Sequence, residues 1–411
     1  MLGLYKDSFS KLIKINGLNF FKIAGLVFII SISLWLNITN QSTEFGNGHG
    51  KFADQVDSYS EYLIRNTVIN NIIGTENQTG SLIQTKNYKL EDYQYYPDHT
   101  QKYFSNRGIQ VEFYKWIAKF NEDLFIKSQD TYFKAFRLLN CILITICFSV
   151  FFLSTLGKNF FGVLAIIVFS LSGGIALFCA NLYFCAWVLF SPLLFYPLLV
   201  KQRYKLYVLF ALVFSILYFS IRYEFATTFA LMWLFPILVQ HCLSHKKLEY
   251  KLMAIVFLTV ILGFAIALLM HHQFIAQELH ITMKEASAQI FSTLKMRVAS
   301  VIGVSIPFSP GFFKYMIIRM NWTGFTLPLL GSITKFTLLL IFIFYAWKEK
   351  SSHYFPIFVW AIAAYISWYI FAYQHIMWHA QFDSLTFVAT IQLVLVLYLS
   401  NLLKNSLLIN K

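Results

Sequence analysis

Residues 252–270 read LMAIVFLTVILGFAIALLM, an apolar run without one charged side chain. An α-helix needs about 20 such residues to cross the hydrocarbon core of a bilayer. In lipid a helix satisfies its own backbone, which an irregular segment cannot do. Similar runs recur along the chain. The sequence is 58% hydrophobic and 13% charged, whereas a soluble domain carries roughly 25% charged residues. A transmembrane barrel would instead show short alternating segments. The expected fold class is therefore an all-α integral membrane protein.

Hydropathy suggests ten spans, near 18–38, 133–155, 160–179, 182–200, 205–221, 224–242, 252–271, 325–346, 354–373 and 383–403. The expected organisation is a cytoplasmic N-terminus (1–17), a first transmembrane helix (18–38) and a long outer segment (39–132). Transmembrane helices 2–7 (133–271), a second outer segment (272–324), helices 8–10 (325–403) and a cytoplasmic C-terminus (404–411) follow. Basic residues set the orientation. Lys6, Lys11, Lys14 and Lys22, then KQRYK (201–205), HKKLEYK (245–251), WKEK (347–350), Lys404 and Lys411 all fall on one side if the ten spans are real. The first apolar run lacks a small-residue cleavage site and reads as a retained anchor.

The net charge of +14 does not point to nucleic acid, because the basic residues cluster at the ends of apolar runs, where they meet headgroups. The five cysteines show no metal-binding spacing and read as buried, inert thiols. No P-loop, GxGxxG or GxSxG motif is present.

Twelve of the 19 acidic residues lie in 39–132. In that segment SYSEYLIRNTVINNII (58–73) and GIQVEFYKWIAKF (108–120) carry apolar residues at helical spacing. Both are expected to be amphipathic helices on the membrane surface. At the start of the first stand Asp54, Asp57 and Glu61, in FADQVDSYSEYL (52–63). Glu61 fits a capping box with Ser58. Asp57 or Asp54 could instead serve as a general base, held beside the bilayer within reach of an acceptor hydroxyl.

Other side chains could contact phosphate or sugar. Arg222 and Glu224 flank the outer end of the fifth span, against the usual basic bias, and the fork of Arg222 suits phosphate oxygens. Arg107 precedes Gly108, whose freedom of backbone geometry could present it. His99 and Tyr96 are close by in sequence, and Lys295 and Arg297 stand in the second outer segment. His375, His379 and Asp383 share one face if helical; His375 and His379 are candidate sugar or phosphate contacts. A divalent metal is conceivable there but crowded, so no metal or other cofactor is expected. His271 and His272 read as interfacial.

The acidic cluster DQVDSYSEYL (54–63), the segment YFSNRGIQ (103–110) and IRYEFA (221–226) together resemble the GT-C superfamily of polytopic membrane glycosyltransferases. YFSNRGIQ resembles that family's Tyr-Ser-Gln-x-Gly-Leu-Gln segment, with Asn106 in place of Gln and Ile109 in place of Leu. IRYEFA resembles its Arg-x-Glu segment. The similarity covers roughly the first 240 residues. It implies a polyprenyl-phosphate-linked sugar as donor, a catalytic Asp or Glu early in the first outer loop, and inverting transfer to a glycan or lipid acceptor. It further implies a multi-pass protein of the cell (inner) membrane with its site facing the periplasm or outside. Partners would be the lipid-linked sugar, the acceptor and membrane lipids, with no nucleic acid. The alternative is a polysaccharide polymerase or a lipid-linked-sugar transporter. A transporter needs polar or broken helices at mid-membrane, and the span centres here read as mostly apolar and aromatic.

Overall fold

The computed structural model describes residues 20–36, 58–73, 82–85, 100–244, 247–298, 310–327, 331–372, 379 and 381–409. Among the described residues the protein is mostly helical, with two small antiparallel strand pairs. Among the described residues five helical segments are long and apolar enough to cross a membrane: Gln129–Leu156, Tyr204–Ile221, Ala226–Ser244, Tyr250–Leu279 and Phe382–Leu407. Three shorter apolar helices, Phe21–Trp35, Phe160–Ser170 and Phe355–Phe371, accompany them.

The expectation of ten continuous spans needs correction in three places. The segment 160–179 breaks into α6 (Phe160–Ser170) and α7 (Gly173–Phe178). The segment 182–200 holds only a 3-10 turn and the short helices α8 (Ser191–Leu194) and α9 (Tyr196–Val200), each with a proline in its first turn. The segment 325–346 begins as a hairpin, β3 (Thr323–Leu327) with β4 (Gly331–Thr334), and only then becomes α16 (Lys335–Lys348). Such backbone is tolerated at membrane depth where protein surrounds it. Here the hairpin is covered: Ser172 bridges Phe325, and Gln392 donates to the Gly324 carbonyl at 3.0 Å.

Around these breaks pack α1 (Phe20–Trp35), α5 (Gln129–Leu156), α10 (Tyr204–Ile221), α11 (Ala226–Met232), α12 (Phe235–Ser244) and α13 (Tyr250–Leu279). The bundle closes with α17 (Phe355–Phe371), α18 (Phe382–Phe387), a π-turn and α19 (Leu393–Ile409). The partnership of α10 and α13 is the most extensive, and Gly263 permits it: a Cβ there would stand 2.5 Å from Ser215 Cβ. One side of α13 exposes Leu258, Leu262 and Leu269.

Residues 58–127 supply α2 (Ser58–Ile73), the antiparallel strands β1 (Leu82–Thr85) and β2 (Thr100–Tyr103), α3 (Gln110–Phe120) and α4 (Glu122–Lys127). Helix α3 has the expected aromatic exposed face, Phe113, Trp116 and Phe120, over buried Val111, Tyr114 and Ala118. Helix α2 differs from expectation. It does not lie on a surface; from Ser60 to Asn71 nearly every residue is buried, against α3 and β1. Its apolar spacing matched a surface helix, but Arg65, Asn66, Thr67 and Asn70 on the other side are covered by protein too. Thr67 Oγ1 accepts the Ile83 N–H at 2.8 Å.

Each end of the bundle is held by its own contacts. At one end Ile109 N–H donates to the Ser220 carbonyl, and Lys102 pairs with Glu278 at 3.3 Å. At the other, Lys404 donates to the Leu156 carbonyl, Cys242 to that of His353, and Asn401 to the Tyr354 hydroxyl. The basic turns belong to this second end.

Candidate functional site

Segments 103–110 and 221–226 are distant in sequence and adjacent in space. Asn106, fully buried, joins them. Its Oδ1 accepts the Tyr223 N–H at 3.2 Å; its Nδ2 donates to Glu224 Oε1 at 3.4 Å and to the Tyr183 hydroxyl. Gln110 donates to the Tyr183 carbonyl at 3.0 Å. Gly108 makes the turn with φ +66°, against Leu82. Two non-glycine residues beside this junction, Phe225 (φ 61°) and Cys185 (φ 43°), hold left-handed backbone. That conformation is costly for an L-residue and collects at functional sites.

Arg222 is completely buried. Its guanidinium lies over three rings, Phe184 at 4.9 Å, Phe225 at 5.3 Å and Tyr218 at 5.5 Å. Among the described residues none of its side-chain nitrogens makes a hydrogen bond. Arg107 is half-buried, 5.8 Å over Phe274, and its Nη1 likewise has no hydrogen-bond partner among the described residues. A buried guanidinium is costly without an anion or acceptors, so this junction is cationic and suited to an anion. Glu224 is buried beside it, and the Tyr218 hydroxyl fixes the Glu224 carbonyl.

On the other side of Tyr223 and Glu224 lies a cavity of about 410 Å³. Its walls come from the 104–105 turn, α13, α17 and α14 (Met283–Val298). Tyr223 also bonds His271 Nδ1 at 2.9 Å. His271 and His272 are both buried, and His272 lines the cavity.

Of the remaining expected residues, Asp54, Asp57, Tyr96, His99 and His375 lie outside the described residues. Helix α2 begins at Ser58, the residue after Asp57. Lys295 is exposed on α14, away from the cavity lining; Arg297 is on the same helix and its side chain is not described. His379 stacks on Phe382 at 4.8 Å. It precedes α18, which begins at Phe382, so His379 and Asp383 do not share a helix face. Among the described residues no cluster of three or more His, Cys, Asp or Glu could hold a metal. The Glu61 carboxylate accepts from Arg137 on α5, Nε at 2.8 Å and Nη2 closer, because burial of α2 sets it facing that arginine.

A second polar centre went unseen in the sequence. Asp383, fully buried, accepts from Lys335 Nζ and the Tyr369 hydroxyl, and from the Tyr365 hydroxyl at 2.6 Å. Lys335 lies 5.2 Å from the Trp322 ring. The available signal was a lysine within an apolar span, since an intramembrane charge is a functional or pairing position by default. The five cysteines are free and buried.

No protein-family model matches this chain, and no curated protein matches it.

Proposed function

We propose that the protein is an inverting membrane glycosyltransferase of GT-C type, using a polyprenyl-phosphate-linked sugar. The observation that carries the reading is the pair Arg107 and Arg222. They stand on two segments joined by Asn106, and both have guanidinium nitrogens without hydrogen-bond partners among the described residues. The leaving phosphate of such a donor gains negative charge as the glycosidic bond breaks, and preorganised cations stabilise it there. Asp57, or else Asp54, would take the proton of the acceptor hydroxyl as its oxygen attacks the anomeric carbon. The chemistry would take place at the outer face of the cell membrane, at the bundle end opposite the basic turns.

The test is turnover of a synthetic polyprenyl-phosphate sugar by the purified protein. Asp57→Asn should abolish transfer without loss of folding, since only the proton acceptor is removed. Activity in both Asp57→Asn and Asp54→Asn would end the reading. Arg222→Lys should be poorly tolerated, because lysine lacks the bidentate fork.

Lipid-linked-sugar transport is a second reading, favoured by one observation. The interrupted helices of 160–200 and the buried Lys335–Asp383 pair are the broken and polar elements a transporter requires. Flux of the lipid-linked sugar across proteoliposomes, without transfer, would select it.

A further inference from the structure

Arg222 and its neighbours divide two environments along one short stretch of backbone. Arg222 points into its aromatic cage; Tyr223 and Glu224 face the cavity. Among the described residues the cavity lining includes no lysine and no arginine. Its ionisable groups other than Tyr223 are one carboxyl, Glu224, and one imidazole, His272. The remaining wall is largely apolar, with Phe264, Leu268, Phe291 and Trp368 among its residues. His272 is 7% exposed, and its Nε2 makes no hydrogen bond among the described residues. A polar atom buried in such a wall is costly unless something bonds to it. Thr227 and Ser105 add hydroxyls to the same lining.

We infer that this cavity binds a lipid with a neutral, hydroxyl-bearing head, its chain against the aromatic wall and a hydroxyl on His272. An anionic head is disfavoured there, because among the described residues the lining offers it Glu224 and no lysine or arginine. The volume is within the range of small-ligand sites. Resting on the glycosyltransferase reading, this makes the acceptor a hydroxylated lipid: the donor phosphate is held on the arginine side of residues 222–224, and the acceptor enters from the cavity side.

The experiment reads binding and needs no transfer, so its failure is separable from failure of the enzymatic reading. The full chain is placed in phosphatidylcholine nanodiscs. Two probes are titrated: dibromo-octadecyl β-glucoside and dibromo-octadecyl phosphate, whose bromines quench nearby tryptophan. The glucoside should give saturable quenching that is lost in Trp368→Phe, while the phosphate should not. His272→Leu should weaken glucoside binding about tenfold, the worth of one buried hydrogen bond. Ala372→Phe, which fills the cavity, should abolish it, and His272→Phe, which also cannot bond the hydroxyl, replaces the leucine variant if that one does not fold. Equal or tighter quenching of Trp368 by the phosphate would overturn the inference and give the cavity to the donor chain. So would unchanged glucoside affinity in the folded His272 variant.

Discussion

Two buried polar centres lie at the same end of this bundle and are built on opposite principles. Around Asp383 the bonding is closed: the carboxylate is met by Lys335, Tyr365 and Tyr369, and the two tyrosine hydroxyls lie 3.0 Å apart. Around Arg222 it is open: three rings surround the guanidinium, and its nitrogens make no hydrogen bond among the described residues. Phe382, the residue before Asp383, packs on Phe184 and Phe225 of the arginine cage, so the centres are neighbours. A closed network specifies one arrangement of the chain. An open one costs stability and makes sense where a ligand completes it.

The comparison fails most visibly if the closed centre can be opened without penalty. Asp383→Ala leaves a buried ammonium unpaired and should cost about 3–5 kcal/mol, read as a fall in the melting temperature of the purified protein. The double variant Lys335→Met, Asp383→Leu should recover most of that loss; if it melts as low as the single variant, the pair is not what holds this region.

At the open centre the opposite sign is expected. Arg222→Met removes a buried charge that lacks hydrogen bonds, so the melting temperature should hold or rise. Transfer should nevertheless fall about 30- to 1,000-fold, equivalent to roughly 2–4 kcal/mol of transition-state stabilisation. A large drop in melting temperature with normal turnover would make Arg222 a structural cation and erase the contrast.

The smallest effect belongs to Gly108, whose turn presents Arg107. An added Cβ would stand 2.8 Å from the Leu82 side chain, at φ +66°. Gly108→Ala should cost about 1–2 kcal/mol from the left-handed backbone, visible as a modest shift in thermal unfolding. If Arg107 serves the donor, turnover should fall further than stability.

Much of this was legible from residues alone. The apolar runs required a helical membrane protein. The Gly108 turn and the aromatic face of α3 follow from local pattern, and the segments 103–110 and 221–226 from resemblance to a family. The pairing of Glu61 was not legible, because Arg137 is 76 residues away. Nor was the burial of α2, whose apolar spacing fits a membrane surface as well as a protein interior.

The sequence by itself determined the class of environment, because hydropathy is a sum over adjacent residues and a bilayer responds to that sum. Tertiary structure decided which apolar segments remain continuous helices. The pieces between 160 and 200 and the hairpin at 323–334 are broken where neighbouring protein takes over the backbone hydrogen bonds lipid cannot supply. It also decided the pairings. Asn106 meets Tyr223 across 117 residues, and Lys335 meets Asp383 across 48. Such contacts are selected by how helices pack and leave no periodicity in the chain.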